Sequence, residues 1–197
     1  MNFCITIVTV VTLILASGLG FSHGKESNVI LLVSPTKNHP TEYGVTRKVL
    51  ESSQCKVRVA CKEPTAKDLN GGRIPVDLTL GEVRTRDYDA LIIIGGYSVW
   101  KYMGDPEVNR LLHAFYDSDK LIGAICAGTY VLGKAGLLDG KNVTGPRSEK
   151  LRKHGAQFVG GLVQQDGNII TAKGPSASEA FGKALVKALR HNLGTLY

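Results

Sequence analysis

The sequence lacks the marks of several functional classes. No Cys or His residues stand at zinc-site spacing. No run of five or more Lys or Arg occurs, and no aromatic side chains interleave with the cations. The formal charge of +7 therefore reads as a solvated face, and no nucleic-acid partner is expected. Repeats and low-complexity tracts are missing too. A length of 197 residues with 43% hydrophobic and 21% charged residues fits one ordinary globular domain.

Charge is also missing from Phe3 to Phe21; Lys25 is the first charged residue after the amino terminus. Residues 1–24 read as a secretory signal peptide with several small-residue cleavage points, or as an N-terminal anchor if the segment stays uncleaved. The expected location is secreted, periplasmic or otherwise outside the cytosol, with membrane contact only in the uncleaved case. The body is then a single domain over 25–197. Cys4 leaves with the leader, and Cys55, Cys61 and Cys126 remain. Cys55 and Cys61 lie on one extended stretch, CKVRVAC. Its six residues span roughly 20 Å, too far for a disulfide. Three free thiols are expected.

What the chain does have is a series of apolar runs separated by helical patterns. Asn28 to Val33 and Asp89 to Ile94 are near-continuous apolar strands, and Lys56 to Ala60 alternates. A helix starts at Pro40-Thr41 with Glu42 in its first turn and Val45, Val49 and Leu50 as its stripe. Lys62 to Arg73 reads as loop. Tyr97 to Met103 and Asp105 to Phe115 read as helices, the second capped by Asp105-Pro106. Gln157 to Val163 and Asn168 to Ala172 flank a hairpin turn, and Ser176 to His191 is an amphipathic helix. Strands alternating with helices predict a mostly parallel α/β sandwich.

Leu121 to Leu138 organises the rest. An apolar strand, Leu121 to Ile125, runs into Cys126, and a helical pattern follows from Tyr130. Strand, sharp turn and helix form the layout of a nucleophile elbow. The helix dipole at Ala127 and Gly128 should lower the Cys126 pKa. The alternative is an inert buried cysteine. In parallel sheets ligands bind at the carboxyl ends of strands. Three features fall there: the loop before Glu42, the Gly95-Gly96 pair, and Cys126. Singly, each has a plainer reading, as a solvated first-turn carboxylate, a turn, and core packing.

These motifs (ILLV with Glu42 downstream, DALIIIGG, LIGAICAG, GLLDGKNVTG and ITAKGPSAS) together resemble the ThiJ/PfpI family, in particular the branch of the Parkinsonism-associated deglycase. The resemblance runs from Val29 to about Leu189. It implies a flavodoxin-like three-layer sandwich with a nucleophile-elbow cysteine, and a homodimer. Cys126 would be the catalytic thiol, Glu42 its contacting acid/base, and Gly95 or Gly96 with the amide of Ala127 an oxyanion site. No metal or organic cofactor is implied. A buried carboxyl beside a thiolate should stay protonated, because two like charges repel in low dielectric. The sequence departs from the family at Ala127, where protease-like members carry His, and at Gly145-Pro146-Arg147 and AKGPSAS, where related enzymes place a His. His39 is the candidate accessory base, with a solvated loop residue as its plainer reading. The expected function is a cofactor-independent thiol enzyme of glyoxalase III or deglycase type, acting on small reactive carbonyls. The alternatives are an oxidative-stress-responsive cysteine sensor or chaperone-like protein without turnover, a plain binding domain, and a cysteine peptidase, which Ala127 disfavours.

Overall fold

The sheet grows in both directions from strand β1 (Asn28–Leu32). The computed structural model describes residues 26–194, so the expected leader and Cys4 lie outside the described residues. Helix α1 (Pro40–Ser52) follows β1 and leads to β2 (Lys56–Cys61) on one side of it. Two short strands, β3 (Ala66–Lys67) and β4 (Arg73–Ile74), form a separate antiparallel pair, and β5 (Leu78–Thr79) is an edge strand beside β2. The chain then crosses to the other side of β1 as β6 (Ala90–Ile93). Helix α2 (Pro106–Asp117), β7 (Leu121–Ile125), α3 (Gly128–Lys134), β8 (Asn142–Val143), α4 (Ser148–Arg152) and β9 (Gln157–Phe158) come next. The chain ends in β10 (Val163–Asp166), β11 (Ile169–Ala172) and α5 (Ser178–Gly194).

The seven-stranded sheet has the order β10-β11-β7-β6-β1-β2-β5. Every neighbouring pair is parallel except the β10–β11 hairpin. This is a flavodoxin-like α/β fold, as the family resemblance implies, and its mostly parallel sheet is the one the alternating pattern predicts. Its central strands β1, β6 and β7 read as unbroken apolar runs because both faces are covered. Ile30 and Leu32 of β1 face α2 and α3, packing with Leu111, Phe115 and Val131. Val29 and Leu31 point the other way, toward Leu50 of α1 and Phe181 and Leu185 of α5. The order of the strands reverses at β1, so the carboxyl ends of β1 and β6 open a crevice where their following segments diverge.

Several boundaries differ from the sequence expectation. The segment from Tyr97 to Met103 is a short 3-10 turn over Val99–Tyr102, not an α-helix. The Gln157 to Val163 run is broken by Gly160 and Gly161, both at φ +80°, so it splits between β9 and β10. Helix α3 stops at Lys134, before Gly136 at φ +79°, and does not reach Leu138. The polar 62–73 tract contains the β3–β4 pair. The buried face of α1 is Glu42, Thr46 and Leu50, whereas Val45 and Val49 are half-buried. That face turns two polar groups inward at the end nearest the crevice. Cys55, Cys61 and Cys126 are free thiols. Among the described residues no helix is long and apolar enough to cross a membrane.

Candidate active site

Strand β7 delivers Cys126 into a backbone conformation that L side chains rarely take. Its φ is +54°, left-handed, and the residue is neither Gly nor Asn. Three hydrogen bonds hold it there. Cys126 N donates to Ala172 O at 2.9 Å, and Cys126 O accepts from Thr129 N at 3.1 Å and Thr129 Oγ1 at 2.7 Å. The sharp turn leaves the side chain at the head of α3, as the elbow pattern requires.

Glu42 meets this cysteine from α1. Pro40 at the first helical position fixes the start of the helix, and Glu42 in its first turn is wholly buried. Neither carboxyl oxygen finds a hydrogen-bond partner of good geometry among the described residues. Burial raises its pKa from the ordinary carboxyl value to about 7. The nearby Cys126 thiol and Gly95 N–H oppose that rise, favouring the charged form without fully pairing with it. Cys126 is itself pushed up to about 12, first by burial and then by the charge of Glu42; the Ala127 amide pulls the other way. The expected lowering of the cysteine by a helix dipole is thus overturned. Helix α3 has only seven residues, and desolvation outweighs its field. Both groups hold protons more tightly than they would in water, so the pair resists carrying two negative charges. When the carboxyl keeps the proton, its Coulomb penalty on the thiolate disappears.

Gly95 and Gly96 close the site from β6. A Cβ on Gly95 would collide with Glu42 Oε2 and would sit 2.8 Å from Ile125 O and 2.9 Å from Cys126 Cβ. Gly96 has φ +133°, and a Cβ there would sit 2.7 Å from Asn38 Cα and 2.9 Å from His39 N. The two glycines let the loop before α1 lie against the end of β6, with His39 N donating to Gly95 O at 3.2 Å and Tyr97 N to Lys37 O at 2.9 Å. This is close backbone approach, not a plain turn.

Cys126, Ala127, Gly96 and His39 all line one cavity of about 440 Å³. Glu42 does not; it lies buried behind the thiol. His39 has a buried Nδ1 with no partner among the described residues, and burial lowers its pKa. It is therefore not a solvated loop histidine. Two other histidines lie away from the cavity: His113 is exposed on α2 and His154 packs under Gly133. The sequence reading missed Leu69, Tyr97, Tyr130, Arg147 and Lys150, which also line the cavity. Leu69 is brought in by the β3–β4 loop through its N–H bond to Asn38 O at 2.9 Å. A second depression of about 510 Å³ lies across Asn28, Cys55, Lys56 and Asp87 at the amino ends of the strands, with mixed charges and an unactivated thiol. Among the described residues, no three His, Cys, Asp or Glu side chains cluster to hold a metal ion.

The chain has relatives among known proteins. The DJ-1/PfpI family model matches residues 28–188. An uncharacterized protein of Methanocaldococcus jannaschii is 31% identical over 94% of this chain and 97% of its own. The glutathione-independent glyoxalase DJR-1.2 of Caenorhabditis elegans is 31% identical over 83% of this chain and 89% of its own. YraA of Bacillus subtilis, provisionally named a cysteine protease, is 35% identical over 66% of this chain and 78% of its own. Among solved structures, a ThiJ/PfpI domain protein from Brachyspira murdochii superposes with a TM-score of 0.82 at 29% identity, covering 85% of this chain and 99% of that one.

Proposed function

The chain belongs to the DJ-1/PfpI family, and on that premise we propose that it is a cofactor-independent thiol enzyme converting small reactive carbonyls, of glyoxalase or deglycase type. One observation carries the reading: a wholly buried, unpartnered Glu42 carboxyl pressed against a strained Cys126 that opens onto a cavity. The relative in Caenorhabditis elegans named as a glutathione-independent glyoxalase supports the same chemistry.

The steps follow from the residues. Glu42 holds its proton less tightly than Cys126 does, so it takes the thiol proton as the Cys126 sulfur adds to the aldehyde carbon of a 2-oxoaldehyde. Backbone N–H groups around Gly96 and Ala127 stabilise the oxyanion, which then takes the proton from Glu42 to give a hemithioacetal. The aldehyde carbon is now bonded to Sγ, so its hydrogen stands beside the group that Sγ itself touches, the Glu42 carboxylate. Glu42 removes that proton and returns it to the neighbouring carbon, leaving a thioester that water hydrolyses. For methylglyoxal plus water the sum is lactate: one carbon is oxidised, its neighbour reduced, and no external redox partner is consumed.

The peptidase reading gains little from the site. Ala127 occupies the position next to the thiol, and the cavity wall carries one histidine, His39, on the α1 side. The chain is expected to function as a homodimer outside the cytosol. Methylglyoxal loss with lactate detection tests the reading, in the wild type and in Cys126→Ser. Turnover that vanishes in the variant is the expected result. No turnover in the wild type overturns the reading and directs attention to Cys126 oxidation.

A further inference from the structure

The charged side chains on the wall of the Cys126 cavity are of one sign. Arg147 and Lys150 line it, and no Asp or Glu does. Glu149, between them in sequence, is exposed and lies off the wall. Neither cation forms an ion pair among the described residues. Lys150 is held in place by the Tyr130 ring, with Nζ 5.2 Å from its centroid, and Tyr130 is itself a wall residue. Some exposed cations elsewhere are paired with acids, as Lys56 is with Glu26 and Lys183 with Glu179.

Volume points the same way. At ~30 Å³ per small-molecule heavy atom, the share a water takes in the liquid, methylglyoxal fills roughly a third of a 440 Å³ cavity. The rest of the space leads to Arg147 and Lys150. A cleft with cations on its wall focuses field on an incoming anion. It also offsets the repulsion that an anion meets from the negative charge shared by Cys126 and Glu42.

Resting on the carbonyl reading above, we propose that the substrate is anionic: a small 2-oxoaldehyde carrying a carboxylate or a phosphate, drawn in and held by Arg147 and Lys150 while its aldehyde carbon meets Cys126. The guanidinium matches either oxyanion group with paired N–H donors, and the ammonium adds a point charge. With a carboxylate tail, 4,5-dioxopentanoate plus water gives 2-hydroxyglutarate and a proton. With a phosphate tail, phosphorylated hydroxypyruvaldehyde plus water gives 3-phosphoglycerate and a proton. In each case the aldehyde carbon is oxidised, the ketone carbon is reduced, and nothing else is consumed.

Two measurements on the full chain test this separately from the carbonyl chemistry. The first compares iodoacetate with iodoacetamide, a matched anionic and neutral pair, by their alkylation rates at Cys126 read by peptide mass spectrometry. The iodoacetate:iodoacetamide ratio should fall about tenfold in Arg147→Gln/Lys150→Gln, and high salt should erase the difference. Both positions are exposed, so an unchanged melting temperature verifies the fold. The second measures the ratio of kcat/KM for each anionic dicarbonyl to that for methylglyoxal. That ratio should fall in the same variant, and the larger fall identifies whether carboxylate or phosphate is preferred. An alkylation ratio that does not move in the variant overturns the anionic substrate even if methylglyoxal is turned over. A falling alkylation ratio with no dicarbonyl consumed overturns the carbonyl reading and leaves the anion selectivity of the cavity standing.

Discussion

The Glu42 carboxyl lies against the Cα of Gly95, in the space that any side chain at that position would occupy. The acid and the β6 terminus are therefore fitted to each other. Gly95→Ala should be costly because two of its three collisions, with Ile125 O and the Cβ of Cys126, are with atoms that cannot swing away. Overpacking of this kind costs about 1–3 kcal/mol. Displacing Glu42 should also cut turnover at least about a hundredfold, the lower range for a lost general acid/base. Thermal melts and methylglyoxal kinetics on the variant check both effects. Wild-type kcat in Gly95→Ala would mean that Glu42 has room to move and is not positioned by the glycine.

The φ of +54° at Cys126 makes a prediction about stability that is independent of chemistry. At a relaxed position Ala is more stable than Gly by about 0.5–1 kcal/mol. At Cys126 the order should reverse, with Cys126→Gly at least as stable as Cys126→Ala, since only Gly adopts this conformation freely. Denaturant midpoints of the two inactive variants decide it. If Cys126→Ala is the more stable by the ordinary margin, the elbow is not strained.

The elbow was legible in the sequence because strand, cysteine and helix are contiguous in it. The central strands β1, β6 and β7 were legible because strands covered on both faces leave unbroken apolar runs. The burial of Glu42 could not be read directly: a carboxylate in a first helical turn is ordinarily solvated, and only the arrival of Gly95 and Cys126 from 53 and 84 residues further along excludes water. The same tertiary effect reversed the sign of the Cys126 shift. Arg147 and Lys150 gave no periodic or motif signal of their role, since their approach to Tyr130 depends on how α4 folds back over α3. The β3–β4 pair escaped because its two-residue strands lie in a polar, glycine-rich tract.

Glu42 also links stability to pH. Its pKa near 7 in the folded protein lies above the ordinary 4.5, so the folded state binds the extra proton. That contribution is fully present below about pH 4.5 and is lost as pH rises through about 7. Cys126 titrates far above this window and does not confuse it. Glu42→Gln should remove the loss, so that its stability relative to wild type improves between pH 5 and pH 8. Urea midpoints at those two pH values for both proteins measure this. Equal changes in the two would show that Glu42 is not the group binding the proton. In activity assays the same variant should lose turnover, because an amide cannot move the proton.

Asn38 is the residue on which the approach of α1 to the site depends. It is wholly buried and uses its whole amide: Nδ2 donates to Ser34 O at 2.6 Å and to Lys67 O at 2.9 Å, while Oδ1 accepts from Ser34 N at 2.9 Å and Ser34 Oγ at 3.1 Å. Its neighbour His39 opens α1, and its backbone O accepts from Leu69, a cavity residue. Asn38→Asp keeps the shape but replaces the NH2 donor with an acceptor facing two carbonyls. At neutral pH it also buries a charge with no cation beside it. Losing two buried donors to carbonyl partners should cost at least about 3 kcal/mol. The cost should shrink in acid, where the protonated carboxyl recovers one donor; this is opposite to the behaviour of a surface aspartate that stabilises through its charge. A melt series from pH 4 to pH 8 distinguishes the two. A small, pH-independent loss would mean that the loop has another anchor. A large loss that eases in acid, together with weakened Cys126 turnover at temperatures where the variant is still folded, would show that the Asn38 amide holds His39 and Glu42 in register with the elbow.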